Sequence, residues 1–280
     1  MNIRIAAVGS SYLIAEEIQD IARTLFSKRI PIITFRTEEI TNDQSADIYL
    51  CARTQYEQLS LIIPKERLFL MELQPDSTFF FAISRIPHGS DVYIFNNYSA
   101  YPKALAEYCR TLGMEQVNYI PLAFEEYSKC DLYETLSKAH YIIGVDRFVN
   151  LLKNPPYHKA LHPEVKIIAG KRTASLHSAF AVLRSLGRLL LNNLRAQWQQ
   201  QKKLSDEQLR MVAVDTDNAI DILQTGAIRT VVSQAAIGEP DNIHMKHAHM
   251  ELAPDILHSY VTERLELLEF LQCKIDTLNK

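Results

Sequence analysis

Ile3-Arg4-Ile5-Ala6-Ala7-Val8-Gly9-Ser10-Ser11, followed by Ile14, Ile18, Ile21 and Leu25 and then by the run Ile30 to Phe35, is the stretch that decides the fold. A β-branched run stops at a glycine and two serines, an amphipathic helical segment follows, and a second β-branched run returns. Strand, helix and strand in that order make a parallel pair with a crossover helix. Two further strands, Ala46 to Cys51 and Leu68 to Met71, complete a first α/β lobe over residues 1–87.

The pattern then restarts. Pro87 and Gly89 punctuate a turn after the Phe79-Phe80-Phe81 run, and a strand is expected from Val92 to Phe95. A helix from Ala100 to Leu112 closed by Gly113, a strand from Val117 to Ile120, a helix from Leu132 to Ala139 and strands at Tyr141 to Val145 and Val165 to Ala169 follow. Leu176, Phe180, Leu183, Leu186 and Leu190 form the apolar stripe of a closing helix, so the second lobe covers 88–195. Residues 196–280 read as a helical output or dimerisation segment with two more patterns. One runs through Leu209, Val212, Ile220, Leu223, Ile228 and Val231, and the other through Val261, Leu265, Leu268, Leu271, Ile275 and Leu278. The last has coiled-coil-like spacing, which suits either a homodimer seam or packing on the α/β body. The fold class expected is α/β, with two tandem Rossmann-like, periplasmic-binding-protein-like lobes and a C-terminal helical segment.

Composition narrows the function. The 280 residues are 47% hydrophobic, with 30 Lys+Arg against 33 Asp+Glu, so no basic field argues for direct nucleic-acid binding. No apolar run approaches the ~18 residues of a membrane span, and the N-terminus lacks a signal-peptide pattern, so a cytoplasmic protein without membrane contact is expected. Only eight glycines occur, and neither G-x-G-x-x-G nor a P-loop is present. Dehydrogenase and nucleotide-triphosphatase readings drop out, G-x-S-x-G is absent too, and no cofactor is implied.

In open parallel sheets, ligands bind beyond the carboxyl ends of the strands. The residues at those ends are polar here: Ser10 and Ser11, Arg36, Arg53, Glu72, Asn96 and Asn97, and Asp146 and Arg147. The serines suit either an anion at a helix N-terminus or simple capping. Arg36 and Arg53 suit either a bidentate clamp on a carboxylate or phosphate, or pairing with nearby acids. Cys51, Cys109, Cys130 and Cys273 are widely spaced and are expected as free thiols, with Cys51 or Cys109 the nucleophile if the chain is an isomerase- or lyase-like enzyme. His244, His247 and His249 invite a metal, but their spacing lacks a fixed carboxylate, and a polar interhelical loop without metal is the expectation. Asp215-Thr216-Asp217 is expected as surface acids on a helix rather than a nucleophile loop.

Three segments carry a family resemblance: Phe81 to Asn97, Leu112 to Pro121 and Tyr141 to Val149. They resemble the second sensory lobe of sigma-54-dependent bacterial transcription regulators related to the propionate regulators. The resemblance spans residues 1–195 and is strongest over 80–150. It implies a two-lobed α/β sensor that binds a small effector between its lobes and that, in the family, precedes PAS, AAA+ and helix-turn-helix modules. It places Asn96, Asn97, Asp146 and Arg147 on the loops after second-lobe strands and does not reach the histidines. Residues 196–280 depart from the family, with no ATPase motif and no DNA-reading helix. The expected function is therefore an effector-binding sensor with a dimeric output, and the alternatives are a thiol enzyme or a partner-binding module.

Overall fold

The structure is a computed structural model that describes residues 3–26, 30–235 and 253–278. His244, His247 and His249 lie outside the described residues. The first elements are β1 (Ile5–Gly9), α1 (Tyr12–Leu25), β2 (Ile32–Arg36), β3 (Ile48–Cys51), α2 (Arg53–Leu59), β4 (Leu68–Leu70) and β5 (Leu73–Pro75). Then come α3 (Ser77–Ser84), β6 (Asp91–Asn96), α4 (Ala100–Thr111), β7 (Asn118–Ala123), α5 (Lys129–Lys138), β8 (Tyr141–Val145), α6 (Asp146–Val149) and β9 (Lys166–Gly170). The chain continues with β10 (Arg172–Ala174), α7 (Leu176–Trp198), α8 (Asp206–Ala235) and α9 (Pro254–Thr277). The protein is α/β, with parallel sheets flanked by helices, as the alternating pattern predicts.

One sheet has the order β2-β1-β3-β4 and the other β7-β6-β8-β9, and every pairing with a resolved register is parallel. The two orders are the same when each sheet is counted from its own first strand. β1 and β3 are buried along their whole length, as strands covered on both faces must be. In each sheet the strand order reverses between the first and third strand, β1/β3 in one and β6/β8 in the other.

The chain divides elsewhere than at the expected residues 87 and 195. Unit 1 comprises residues 1–73 and 174–280, and unit 2 comprises 74–173. β5 and β10, the strands in which the chain leaves and re-enters unit 1, pair with each other. The reason for the shift lies in α7, whose Phe180, Leu183, Leu186 and Leu190 share one core with Ile5, Ile18, Leu25 and Leu50. The stripe expected to close the second lobe closes the first. α8 and α9 join the same core through Val212, Ile220, Leu223, Leu257, Val261, Leu265, Leu268 and Ile275. α8 and α9, the described helices of the C-terminal segment, are thus an integral layer of unit 1, and Val261, Leu265, Leu268 and Ile275 of the spacing that suited a dimer seam are taken up within the chain. α3, expected within the first lobe, packs Phe79 and Ile83 into the core of unit 2 with Val92, Ile94 and Ile143.

Polar contacts set the register of α7 against α9. Arg188 pairs with Asp276 at 2.9 Å, Arg195 with Glu269 at 2.5 Å, and Arg184 donates to the Leu278 carbonyl at 2.8 Å. Rising numbers on α7 meet falling numbers on α9, so the two run antiparallel. Between them, Gln272 donates to the Arg184 carbonyl at 3.2 Å, and a Cβ on Gly187 would lie 1.9 Å from Gln272 Oε1. Glycine at 187 is what lets α9 sit this close. Among the described residues no helix is long and apolar enough to cross a membrane.

Candidate functional site

The carboxyl edge of the first sheet begins at Gly9. A Cβ there would come within 2.5 Å of the Ala15 amide nitrogen and 2.8 Å of the Ser11 carbonyl, so only glycine permits the tight entry into α1. Ser11 is the N-cap by backbone geometry but its hydroxyl makes no capping bond, and Ser10 is exposed. Neither hydroxyl is spent on the helix end, contrary to the capping alternative.

Arg36 is committed. Its guanidinium contacts Glu38 at 2.6 Å and Glu39 at 3.4 Å and lies 5.3 Å over the Tyr12 ring. Glu39 also accepts the Tyr12 hydroxyl at 2.6 Å and the Arg36 amide at 2.7 Å. Glu38 holds the guanidinium proton more firmly than usual, and the Tyr12 hydrogen bond holds the Glu39 carboxyl below the ordinary carboxylate range. A clamp through Arg36 would have to break this cluster, so of the two expectations for this arginine, acid pairing is the one found.

Glu72 is committed too, to α7. Its amide donates to Ser178 Oγ at 3.0 Å, and Ser175 Oγ donates to Glu72 Oε2 at 3.2 Å. The two serine oxygens are 2.6 Å apart, and because the Ser175 proton faces Glu72, Ser178 is the donor between them. The Ser175 amide meets the Glu72 carbonyl at 2.8 Å, and Ser175 caps α7 by accepting the Ser178 amide. This closed ring puts a carboxylate at a helix N-terminus, where the helix dipole favours it. Glu72 is a fastener for α7 more than a ligand group.

Arg53 differs from Arg36. One Nη2 contact reaches Glu72 Oε1 at 3.0 Å, while 81% of the side chain is exposed. A guanidinium has five N–H donors, so most of its hydrogen-bonding capacity points to solvent. It stands at the start of α2, directly after β3, next to the β1/β3 reversal. Cys51, by contrast, is fully buried, and desolvation pushes its thiol up to about 12. Cys109 is buried as well, its thiol pushed up to about 11 by burial. Nucleophilic cysteines need the opposite environment, so burial counts against either thiol as a nucleophile.

On the second sheet, Asn96 is 3% exposed at the end of β6, and its Oδ1 accepts the Asn97 amide at 2.7 Å. Asp146 and Arg147 open α6 directly after β8, with Asp146 Oδ1 accepting the Arg147 amide at 2.6 Å. Both are half-buried. A Cβ on Gly144 would lie 2.6 Å from the Phe95 carbonyl, so β6 and β8 approach closely just where the order reverses. An aromatic group floors this edge: Phe95 stacks on Phe124 at 5.1 Å, and Tyr157 and Phe148 pack against them. Sequence reading missed these aromatics as a cluster, since Phe95 and Tyr157 are brought together only by the fold.

Asp217 corrects another expectation. It is 4% exposed, accepts the Tyr260 hydroxyl at 2.9 and 3.0 Å, and faces Arg264 at 3.5 Å, so it is a buried ion-paired acid of unit 1 and not a surface one. Asp215 is half-buried on the same helix. Among the described residues, His140, His162 and Glu164 are the group able to hold a metal ion, and they lie at the amino-terminal edge of the second sheet.

No protein-family model matches the chain, and neither a curated protein nor a solved structure matches it.

Proposed function

We propose that the chain is the effector-sensing region of a cytoplasmic regulator of the propionate-regulator kind, and that its two α/β units are Rossmann-like lobes. The effector is a small polar or anionic molecule held at the carboxyl edges of the parallel sheets. One observation carries the reading: both sheets share one strand order, and at each reversal the chain presents polar groups, Ser10, Ser11 and Arg53 in unit 1 and Asn96, Asn97, Asp146 and Arg147 in unit 2. The buried, proton-retaining thiols favour binding over covalent catalysis. Binding would act by favouring one conformational state of the regulator over another.

The test is a thermal-shift screen of the full chain against a metabolite library, since a ligand selective for the native state raises Tm by mass action. A shift with one carboxylate or phosphate class, lost in Arg53→Ala or Arg147→Ala, supports the reading. An unchanged shift in both variants removes the site, and turnover of the ligand would return the enzyme reading.

Exposed apolar residues on α8 and α9 favour a second element, self-association as output. Ile228, Val231, Ile256 and Phe270 are 46–56% exposed, whereas Val261, Leu265, Leu268 and Ile275 of the regular stripe of α9 are buried. A homodimer would therefore use the outward residues. Sedimentation of Phe270→Glu checks this: a dimer unaffected by that change, or a wild-type monomer, counts against it.

A further inference from the structure

We propose that His140, His162 and Glu164 bind one divalent transition-metal ion of the zinc class at the amino-terminal edge of the second sheet. Their donor atoms lie within 4.8 Å of one another, and the two imidazole rings are 4.2 Å apart, centroid to centroid. The site stands apart from the effector edge, at the other end of the strands of unit 2.

The backbone holds both histidines in place. The His140 carbonyl accepts the Lys166 amide at 2.8 Å, which ties it to the start of β9. The His162 amide donates to the Leu136 carbonyl at 3.1 Å, in the last turn of α5, and the His162 carbonyl accepts the Val165 amide at 3.1 Å. Pro163 stiffens the link between His162 and Glu164. Glu164 and His140 are exposed, so the side-chain rotation needed to bring the donors from 4.8 Å to the roughly 3.4 Å of a tetrahedral zinc site is unhindered by packing.

The donor set selects the metal. Two imidazoles and one carboxylate are the borderline-soft nitrogen and oxygen ligands that zinc, nickel and cobalt take, whereas calcium and magnesium need shells of oxygen. Three protein ligands leave a position open. His140 and Glu164 line a cavity of about 630 Å3, shared with Asp91, Tyr93, Lys138 and Lys166, into which that position can face. Of the two lysines, Lys138 is paired with Glu134 at 2.5 Å, which offsets its repulsion of a cation, while Lys166, 5.8 Å over the Tyr141 ring, keeps its full charge. That charge would favour an anion as the fourth ligand.

One bond must change on binding. His162 Nδ1 accepts the Glu164 amide at 3.1 Å, so the neutral ring carries its proton on Nε2. A metal on Nδ1 takes that lone pair, and a metal on Nε2 moves the proton to Nδ1, where it opposes the amide proton. In either case the Glu164 amide loses its acceptor.

The experiment uses the full chain carrying His244→Ala, His247→Ala and His249→Ala, so that those histidines cannot supply ligands. Titration with Zn2+, and with Co2+ for its visible absorption, should show one equivalent bound, with Mg2+ in excess unable to compete. Adding His140→Ala, or separately His162→Ala, should weaken binding by more than the roughly 10–100-fold that outer-shell partners contribute. The exposed position of His140 keeps that variant informative if His162→Ala fails to fold. Nuclear magnetic resonance should show the Glu164 amide shifting and exchanging faster with Zn2+. Absence of binding in the three-alanine background overturns the proposal, as does binding that survives His140→Ala or that Mg2+ displaces.

Discussion

Unit 1 and unit 2 set the same strand order into different surroundings. Unit 2 is one continuous segment, 74–173, with its own two cores and an aromatic, amide-bearing carboxyl edge. Unit 1 is built from two distant segments, and its edge is ionic, with Arg36 held by Glu38 and Glu39 and Glu72 fastened to the first turn of α7. The contrast separates what a sheet topology fixes from what it leaves to its surroundings. The reversal point, and a glycine close beside it, recur in both units as Gly9 and Gly144. The helices that complete each core, and the charge at each edge, do not.

The contrast is broken most severely by dissecting the chain. A fragment of residues 74–173 should fold alone, with dispersed amide resonances, whereas residues 1–73 alone should not, because the core they form with α7, α8 and α9 is left open. A folded 1–73 fragment would show that the shared core is dispensable.

Next in size is Leu183→Ala, which empties a fully buried site in unit 1 and should cost about 2–5 kcal/mol. Calorimetry should find the loss in the transition of unit 1, with that of unit 2 unmoved. Equal loss in both would mean that the units melt as one.

Gly187→Ala should cost about 1–3 kcal/mol by overpacking, because the added Cβ meets the buried Gln272 amide. Gln272→Ala in the same chain should recover most of that, and simple additivity in chemical denaturation would refute the contact.

A pH series resolves smaller effects. The thiol of Cys51 titrates at about 12 in the native chain against a reference of 9.0, so below pH 9 both states hold the proton and stability is unaffected. Above pH 9 only the unfolded chain releases it, and stability falls by about 1.4 kcal/mol per pH unit toward pH 12. Cys51→Ala should flatten that decline, whatever it does to the starting value. At pH 8 iodoacetamide should modify exposed Cys130 and Cys273 quickly and buried Cys51 and Cys109 only on unfolding. Rapid labelling of Cys51 would contradict its burial.

The smallest effect belongs to Arg53→Ala. Its exposed pair with Glu72 is worth about 0–1 kcal/mol, so chemical denaturation should scarcely register its loss while effector binding does. A loss of several kcal/mol would place Arg53 with Arg36 and Glu72 as a structural residue.

What was legible in the sequence was whatever periodicity encodes. The β-branched runs located both sheets to within a few residues, and Ile18, Leu183 and Val261 face inward as their spacing requires. The polar strand ends followed from the same pattern. Partner choice was not legible. An apolar stripe records that a helix is covered without recording by what, so chain order alone points the stripe of α7 to the neighbouring lobe, and that of α9 suits a second chain equally well. Asp217 looked like a surface acid because its partners, Tyr260 and Arg264, come from another helix. The pairing of His140 with His162 spans a helix end and a loop, and no short motif announces it.

The interleaving of the two units also has a consequence for biosynthesis. Residues 1–73 leave the ribosome well before the helices that seal their core, which are encoded after position 173. At about 5–20 residues per second, the roughly 200 residues from position 73 to the end of α9 occupy about 10–40 s. For that interval Ile5, Ile18, Leu25 and Leu50 lack their final cover, while the segment translated in between can already reach its native state. Of the two units, the one begun first is thus the last to be finished, and it is the nascent first sheet that a holdase chaperone would have most reason to engage.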